Sequence, residues 1–263
     1  NLKSVDIQVT EKCSLKCKDC CNLMQYYERP KDVETDVLIK SVDKLMTCID
    51  NLDEFRVLGG DPFMNKNFYK TINKLKEYEN CKKIVVYTNA KFVPKGENLN
   101  CLKHKKIILE ITNYGESSSA NDQFVEIAKK ENIAYQSVRV TTWQDSGRIL
   151  PRSNKNEKEL NKLFDDCCQS DLISLLHGRL YRCPFSANAA NLKAIPQNDS
   201  DEVNLLDKNL TNVELRQKIK ALTYDKKFLT ACSYCMGRDF TTALIPSAIQ
   251  TKKPLEYEKV QNF

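Results

Sequence analysis

Ser4-Val-Asp-Ile-Gln-Val-Thr10 runs directly into Glu11-Lys-Cys-Ser-Leu-Lys-Cys-Lys-Asp-Cys20. The first seven residues alternate polar and apolar side chains and predict a β-strand. The loop behind it spaces Cys13, Cys17 and Cys20 as C-x3-C-x2-C. Three thiolates in one short loop can converge on a single centre. A [4Fe–4S] cube takes a ligand on each iron, so three cysteines leave one iron open to a small molecule. A structural zinc takes four protein ligands, and this loop lacks the form of paired C-x2-C hooks.

Outward from this stretch, helix and strand signals alternate. Asp36–Asn51 places Val37, Ile39, Val42, Leu45, Met46 and Ile49 at helical spacing. Glu54–Leu58 reads as a second strand ending in Gly59-Gly60, and Phe68–Tyr78 as a helix. Lys83–Tyr87 is a third strand ending in Thr88-Asn89, and Ile107–Thr112 is a fourth. A helix over Asp122–Glu131 and a fifth strand over Ile133–Val140 follow. Such alternation implies parallel βαβ units with right-handed crossovers. Between Val140 and Cys167 only one more helix fits, near Asn156–Phe164, which is too little for a closed eightfold barrel. The expectation is an α/β fold: a partial (β/α)5-6 TIM barrel over residues 1–153, then a small C-terminal domain over 154–263. The boundary falls in the polar cluster Ser153–Lys158.

Beyond it, Leu172–Leu176, a His177-Gly178 turn and Arg179–Arg182 read as a β-hairpin. Thr211 and Glu214 form a capping box opening a helix to about Leu222. Cys232-Ser-Tyr-Cys235 comes next.

The chain of 263 residues carries 12 cysteines but only 7 glycines, with 29% charged residues and a net charge of +6. Cysteine-rich secreted domains usually pair their thiols, but a chain this long needs no such staples, and the opening residues have no signal-peptide pattern. Adjacent cysteines at 20–21 and 167–168 suit clusters better than bridges. No apolar run approaches a membrane span, and no basic stripe is interleaved with aromatics as a nucleic-acid surface would require. The reading is a cytoplasmic protein without membrane or nucleic-acid partners, whose mild basic excess favours an anionic ligand.

The cysteine loop, its preceding strand and its place near the start of the sequence resemble the radical S-adenosylmethionine (radical SAM) superfamily. The resemblance implies that Cys13, Cys17 and Cys20 hold a [4Fe–4S] cluster whose open iron binds S-adenosylmethionine. Reductive cleavage of that cofactor would give a 5′-deoxyadenosyl radical that abstracts hydrogen from a substrate. Leu58-Gly-Gly-Asp-Pro62 is similar to the family's Gly-Gly-Glu-Pro motif, with Asp61 in place of glutamate. Gly59, Gly60 and Asp61 would then meet the cofactor's amino group. Thr88, Asn89, Thr112 and Asn113, at the ends of strands three and four, complete the implied cofactor site. Asp19 stands where many relatives have an aromatic residue.

Cys168, Gly178 and Cys183 follow a C-x9-G-x4-C pattern, with Cys232-x2-Cys235 later. This resembles the twitch type of the SPASM/twitch branch, with one auxiliary [4Fe–4S] cluster on Cys168, Cys183, Cys232 and Cys235. Four cysteines with a C-x2-C hook are also zinc grammar. Cys167 and Cys21, the spare cysteines beside these ligands, are candidate hydrogen donors. Cys48, Cys81 and Cys101 have no partner at useful spacing and read as buried hydrophobes. The implied activity is that of an oxidoreductase or epimerase drawing electrons from a flavodoxin- or ferredoxin-like reductant. The short chain and single auxiliary site are similar to the aminocyclitol- and sugar-modifying members, so a carbohydrate-like or nucleotide-linked sugar substrate is favoured. A peptide maturase making an epimer or crosslink is the second reading, and a non-catalytic iron–sulfur or zinc protein the third.

Overall fold

The computed structural model describes residues 1–260. Contacts divide the chain into two compact units, Asn1–Leu15 with Pro30–Thr141, and Lys16–Arg29 with the chain from Thr142 onward. The division passes through the cysteine loop: Cys13 belongs to the first unit, Cys17 and Cys20 to the second.

The first unit repeats strand and helix: β1 (Leu2–Gln8), α1 (Thr35–Cys48), β2 (Leu52–Leu58), α2 (Phe68–Leu75), β3 (Cys81–Thr88), the single turn α3 (Glu97–Asn100), β4 (Ile107–Asn113), α4 (Asn121–Lys130) and β5 (Tyr135–Arg139). Neighbouring strands pair in parallel in the order β5-β4-β3-β2-β1. This is the five-stranded form of the expected partial barrel. Alternation places Val5, Ile7, Phe55, Val57, Ile84, Val86, Leu109 and Ile111 on one face, all fully buried. Val42 and Leu45 of α1, Phe68 and Ile72 of α2 and Phe124 of α4 are equally buried. Truncating such a residue, for example Phe55→Ala, costs about 3–5 kcal/mol.

The opposite face of the same strands is polar. Asp6 lies across from Arg56, and Tyr87 across from Glu110. Arg56 Nε is 3.4 Å from Asp6 Oδ1, and its guanidinium carbon lies 5.1 Å from the centroid of the Tyr87 ring. Burial pushes the Asp6 carboxyl up to about 6, with the Arg56 charge opposing and Glu54 adding to the rise.

The second unit contains β6 (Thr142–Gln144), α5 (Glu157–Asp165), β7 (Ser174–Leu176), β8 (Arg179–Tyr181), α6 (Pro184–Asn191), β9 (Glu202–Asn204), α7 (Asn212–Lys220) and β10 (Leu244–Pro246). Strands β7, β8 and β9 form an antiparallel ladder, and β6 pairs with β10. The β7–β8 hairpin turns through His177 and Gly178, both at positive φ (48° and 82°), as a two-residue type I′ turn demands. The capping box of Thr211 and Glu214 opens α7, and a second, Asn156 with Glu159, opens α5. The core gathers Met24, Tyr26 and Tyr27 with Phe164, Phe185 and Leu229.

Helix α6, of eight residues, and strands β6, β9 and β10, of three each, are too short for sequence periodicity to find. Residues 142–153 belong to the second unit because they hydrogen-bond within it: Leu150 N–H donates to Tyr234 O and Ser153 N–H to Ser233 O. The polar cluster at Ser153–Lys158 therefore lies inside this unit. No helix among the described residues is long and apolar enough to cross a membrane.

Because the Asp6 carboxyl titrates higher in the folded chain than the ordinary 3.8, protonation favours folding. This site adds no penalty below about pH 4, and its penalty builds as pH rises through about 6. The expected observation is an Asp6 13Cγ titration midpoint near 6. In Arg56→Met the midpoint moves higher still, since the opposing cation is gone. A midpoint near 3.8 in both proteins would refute the buried pair.

Candidate functional site

The residues singled out at strand ends collect at one edge of the parallel sheet, where such sheets bind ligands. Behind β1, Thr10–Cys13 passes directly over Gly59-Gly60 behind β2. Gly60 N–H donates to Thr10 O (3.0 Å) and Asp61 N–H to Lys12 O (2.9 Å). A Cβ on Gly59 would stand 2.3 Å from Thr10 O, and one on Gly60 would stand 2.1 Å from Lys12 O. Only glycine permits this approach.

Asp61 is buried and spends its carboxylate inside the protein. Oδ1 accepts from Phe63 N–H (3.1 Å), and Oδ2 accepts from Thr88 Oγ1 (2.8 Å) and Asn89 N–H (3.1 Å). Burial raises the Asp61 carboxyl above its usual value while these three donors pull it down. The shorter acid thus ties the end of β2 to the end of β3. Asn89, fixed by that bond, turns Nδ2 toward Cys13 Sγ at 3.6 Å and accepts from Ser14 Oγ at 3.2 Å. At the end of β4, Asn113 Oδ1 accepts from Gly115 N–H (2.8 Å), and Thr112 O accepts from Ser118 Oγ (3.3 Å).

Within the second unit, Cys17 and Cys20 are held by residues far along the chain. Gln250 Nε2 donates to Cys17 Sγ (3.3 Å), and Gln250 Oε1 accepts from Lys16 N–H (2.7 Å). Burial raises the Cys17 thiol, and the Gln250 hydrogen bond opposes it. Asp19 pairs with Arg148 Nε at 2.8 Å. Gly147 packs against the Asp19–Cys20 peptide, where a Cβ would stand 2.3 Å from Asp19 O. Gln25 Nε2 bridges the carbonyls of Cys20 and Gly147.

A cavity of about 50 Å³ in the same unit carries Cys167, Cys183, Cys232 and Cys235 on its wall, with Cys21 and Arg238 beside them. Three of the four sulfurs already accept backbone hydrogen bonds: Cys183 from Ser186 N–H (3.3 Å), Cys232 from Leu229 N–H (3.4 Å) and Cys235 from Gly237 N–H (3.4 Å). Cys183 is also the N-cap of α6, with Pro184 at the first helical position. Burial pushes Cys232 up to about 12 and Cys235 to about 11, and raises Cys183 as well. Metal loading would have to displace these protons, so it weakens as pH falls.

The sequence spacing selects Cys168 for this set, but the structure puts Cys167 on the cavity wall instead. Cys168 Sγ accepts from Arg238 Nε at 3.0 Å, and its thiol lies 3.8 Å from Gln144 Oε1. Counting from Gly178 cannot resolve two adjacent cysteines, because neighbouring side chains in a turn diverge. Of the two candidate hydrogen donors, Cys167 joins the four-thiol set, and Cys21 lines the same cavity without being one of the four. Gln250, Gly147, Arg148 and Arg238 escaped sequence reading, since each acts across a long chain separation. Cys48, Cys81 and Cys101 are buried as expected, and burial pushes the Cys101 thiol up to about 12.

A family model described as a 4Fe-4S single cluster domain matches residues 7–133. No curated protein matches the chain. Among solved structures, anSMEcpe with bound AdoMet and Cp18Cys peptide is 15% identical, with 82% of this chain and 80% of that chain covered and a TM-score of 0.54. BtrN in complex with AdoMet and 2-DOIA is 14% identical, with 98% of each chain covered and a TM-score of 0.53. Both hold AdoMet, and the chain has their α/β partial-barrel fold. The resemblance read from the cysteine loop therefore holds in the fold.

The glycine approach yields a direct test. Gly60→Ala forces the Lys12–Cys13 peptide outward, at a cost of about 1–3 kcal/mol for overpacking. The expected result is a lower melting temperature together with less iron bound after anaerobic reconstitution. A variant matching the native protein in both would refute the contact.

Proposed function

We propose that this chain is a radical SAM enzyme carrying two [4Fe–4S] clusters. Cys13, Cys17 and Cys20 hold the first, and Cys167, Cys183, Cys232 and Cys235 hold the second. The observation that carries the reading is the cavity that Cys167, Cys183, Cys232 and Cys235 all line, three of whose sulfurs accept backbone N–H groups. Hydrogen bonds of this kind stabilise cluster-bound thiolates and tune the potential. Among the described residues, no three His, Cys, Asp or Glu side chains come close enough to hold a single metal ion.

When bound at the first site, the cluster supplies the electron that cleaves S-adenosylmethionine to a 5′-deoxyadenosyl radical. The chain's own residues position and shield that chemistry. Gly59 and Gly60 bring backbone to the edge of the site. Asp61 fixes the Thr88-Asn89 turn rather than reaching out itself, and Asn89 and Gln250 each point an amide at a ligand sulfur. The motif's role at the amino group thus passes to backbone groups. Thr112 and Asn113 are proposed beside them at the cofactor's ribose. With all four irons ligated by protein, the second cluster acts in electron transfer.

The substrate is a carbohydrate-like molecule that undergoes oxidation or epimerisation. Asp6, Arg56, Tyr87 and Glu110 give the sheet a polar face, which suits a substrate bearing hydroxyl or amino groups. The match over 98% of both chains to the BtrN complex with 2-DOIA also supports a small molecule. The peptide reading draws its support from anSMEcpe, whose complex contains a peptide. An external flavodoxin- or ferredoxin-like protein supplies the electrons.

Iron and sulfide should each reach about eight per chain in the reconstituted protein, falling to about four in Cys13→Ala/Cys17→Ala/Cys20→Ala. Cys167→Ala should bind about four and Cys168→Ala about eight. 5′-Deoxyadenosine should form from S-adenosylmethionine and dithionite in the native protein, and not in the triple variant. Zinc in place of the second four irons would refute the auxiliary cluster. Absence of 5′-deoxyadenosine from the fully loaded protein would leave the non-catalytic reading.

A further inference from the structure

Cys168 and Arg238 meet twice. Cys168 N–H donates to Arg238 O at 2.7 Å, and Arg238 Nε donates to Cys168 Sγ at 3.0 Å. The two contacts join chain segments that are 70 positions apart. One segment carries Cys167 immediately before Cys168, and the other carries Cys235 just before Gly237 and Arg238. Arg238 also lines the four-thiol cavity, whose wall is otherwise apolar side chains, sulfur and few polar groups.

We propose that Arg238 is a positioning residue for the second cluster and the cation that sets its reduction potential, with Cys168 as its brace rather than a ligand. The inference rests on the cluster assignment proposed above. A four-thiolate cube carries about two negative charges oxidised and about three reduced, so a fixed cation in a low-dielectric wall favours the reduced form. The electron arrives from the substrate radical, which is thereby oxidised, and leaves to the flavodoxin- or ferredoxin-like protein, which is reduced. No bond to Arg238 forms or breaks. The guanidinium stays charged across the accessible pH range and donates along fixed directions, so it can hold one sulfur while presenting charge to the cavity. This gives a function to the cysteine that spacing alone assigns to the cluster. It also explains why a chain with a cysteine pair at 167–168 uses both thiols.

The test isolates the second cluster in the full chain with Cys13→Ala/Cys17→Ala/Cys20→Ala, then adds Arg238→Gln or Arg238→Lys. Iron content and an EPR-monitored redox titration with dithionite are read for each. With Arg238→Gln, about four irons should remain, and the ratio of reduced to oxidised cluster at a fixed potential should fall about tenfold, which is about 59 mV for a one-electron couple. Arg238→Lys keeps the charge and should recover most of the native midpoint. Equal midpoints in all three proteins with iron intact would overturn the electrostatic role. Loss of iron from both the Gln and Lys variants would also overturn it, leaving a brace without tuning. No second cluster in the parent triple variant would instead refute the cluster assignment itself.

Discussion

The contact on which the first unit's site depends is backbone against backbone. Thr10–Cys13 and Gly59-Gly60 lie so close that no side chain fits between them, and two N–H···O bonds seal the approach. Everything at that sheet edge is registered from this contact. It sets where Cys13 leaves the strand, and it brings Asp61 to the end of β3. There the carboxylate takes a hydroxyl and two backbone N–H groups and so fixes Asn89. A longer carboxylate could extend past these donors. The aspartate is buried and accepts its three donors from the protein itself.

The second unit solves a different problem. Thiols in an apolar cavity are costly as anions, and burial raises Cys183, Cys232 and Cys235 above the ordinary thiol value. Backbone N–H groups on three of them prepare the site for thiolate without placing a formal charge there. The helix N-terminus at Cys183 works in the same direction. On the metal loading proposed above, the remaining charge imbalance would fall to Arg238, which lines the cavity.

Much of this was legible in the sequence because its signals are local. The five parallel strands follow from alternation, the His177-Gly178 hairpin from its turn residues, and α7 from its capping box. The cysteine loop, with its preceding strand and its place near the start of the sequence, pointed to the α/β partial-barrel fold that the solved structures share. What failed to show depends on contacts across long separations. Gln250 reaches Cys17, Arg148 reaches Asp19 and Arg238 reaches Cys168, and none leaves a periodic trace. The choice between Cys167 and Cys168 is the sharpest instance: adjacent residues share every sequence context yet point to different neighbours.

That choice bears on how such pairs should be read. A second cysteine beside a ligand is usually taken as a spare, available for hydrogen donation or simply inert. Here Cys168 is engaged by a cation, so neither description fits it. Cys21 differs, since it lines the cavity while its neighbour Cys20 sits in the N-terminal triplet. A single peptide unit therefore joins a proposed ligand of one cluster to the wall of the other. The doubled cysteines at 20–21 and 167–168 thus differ in their surroundings: Cys21 lines the cavity beside Cys167, whereas Cys168 is held by Arg238.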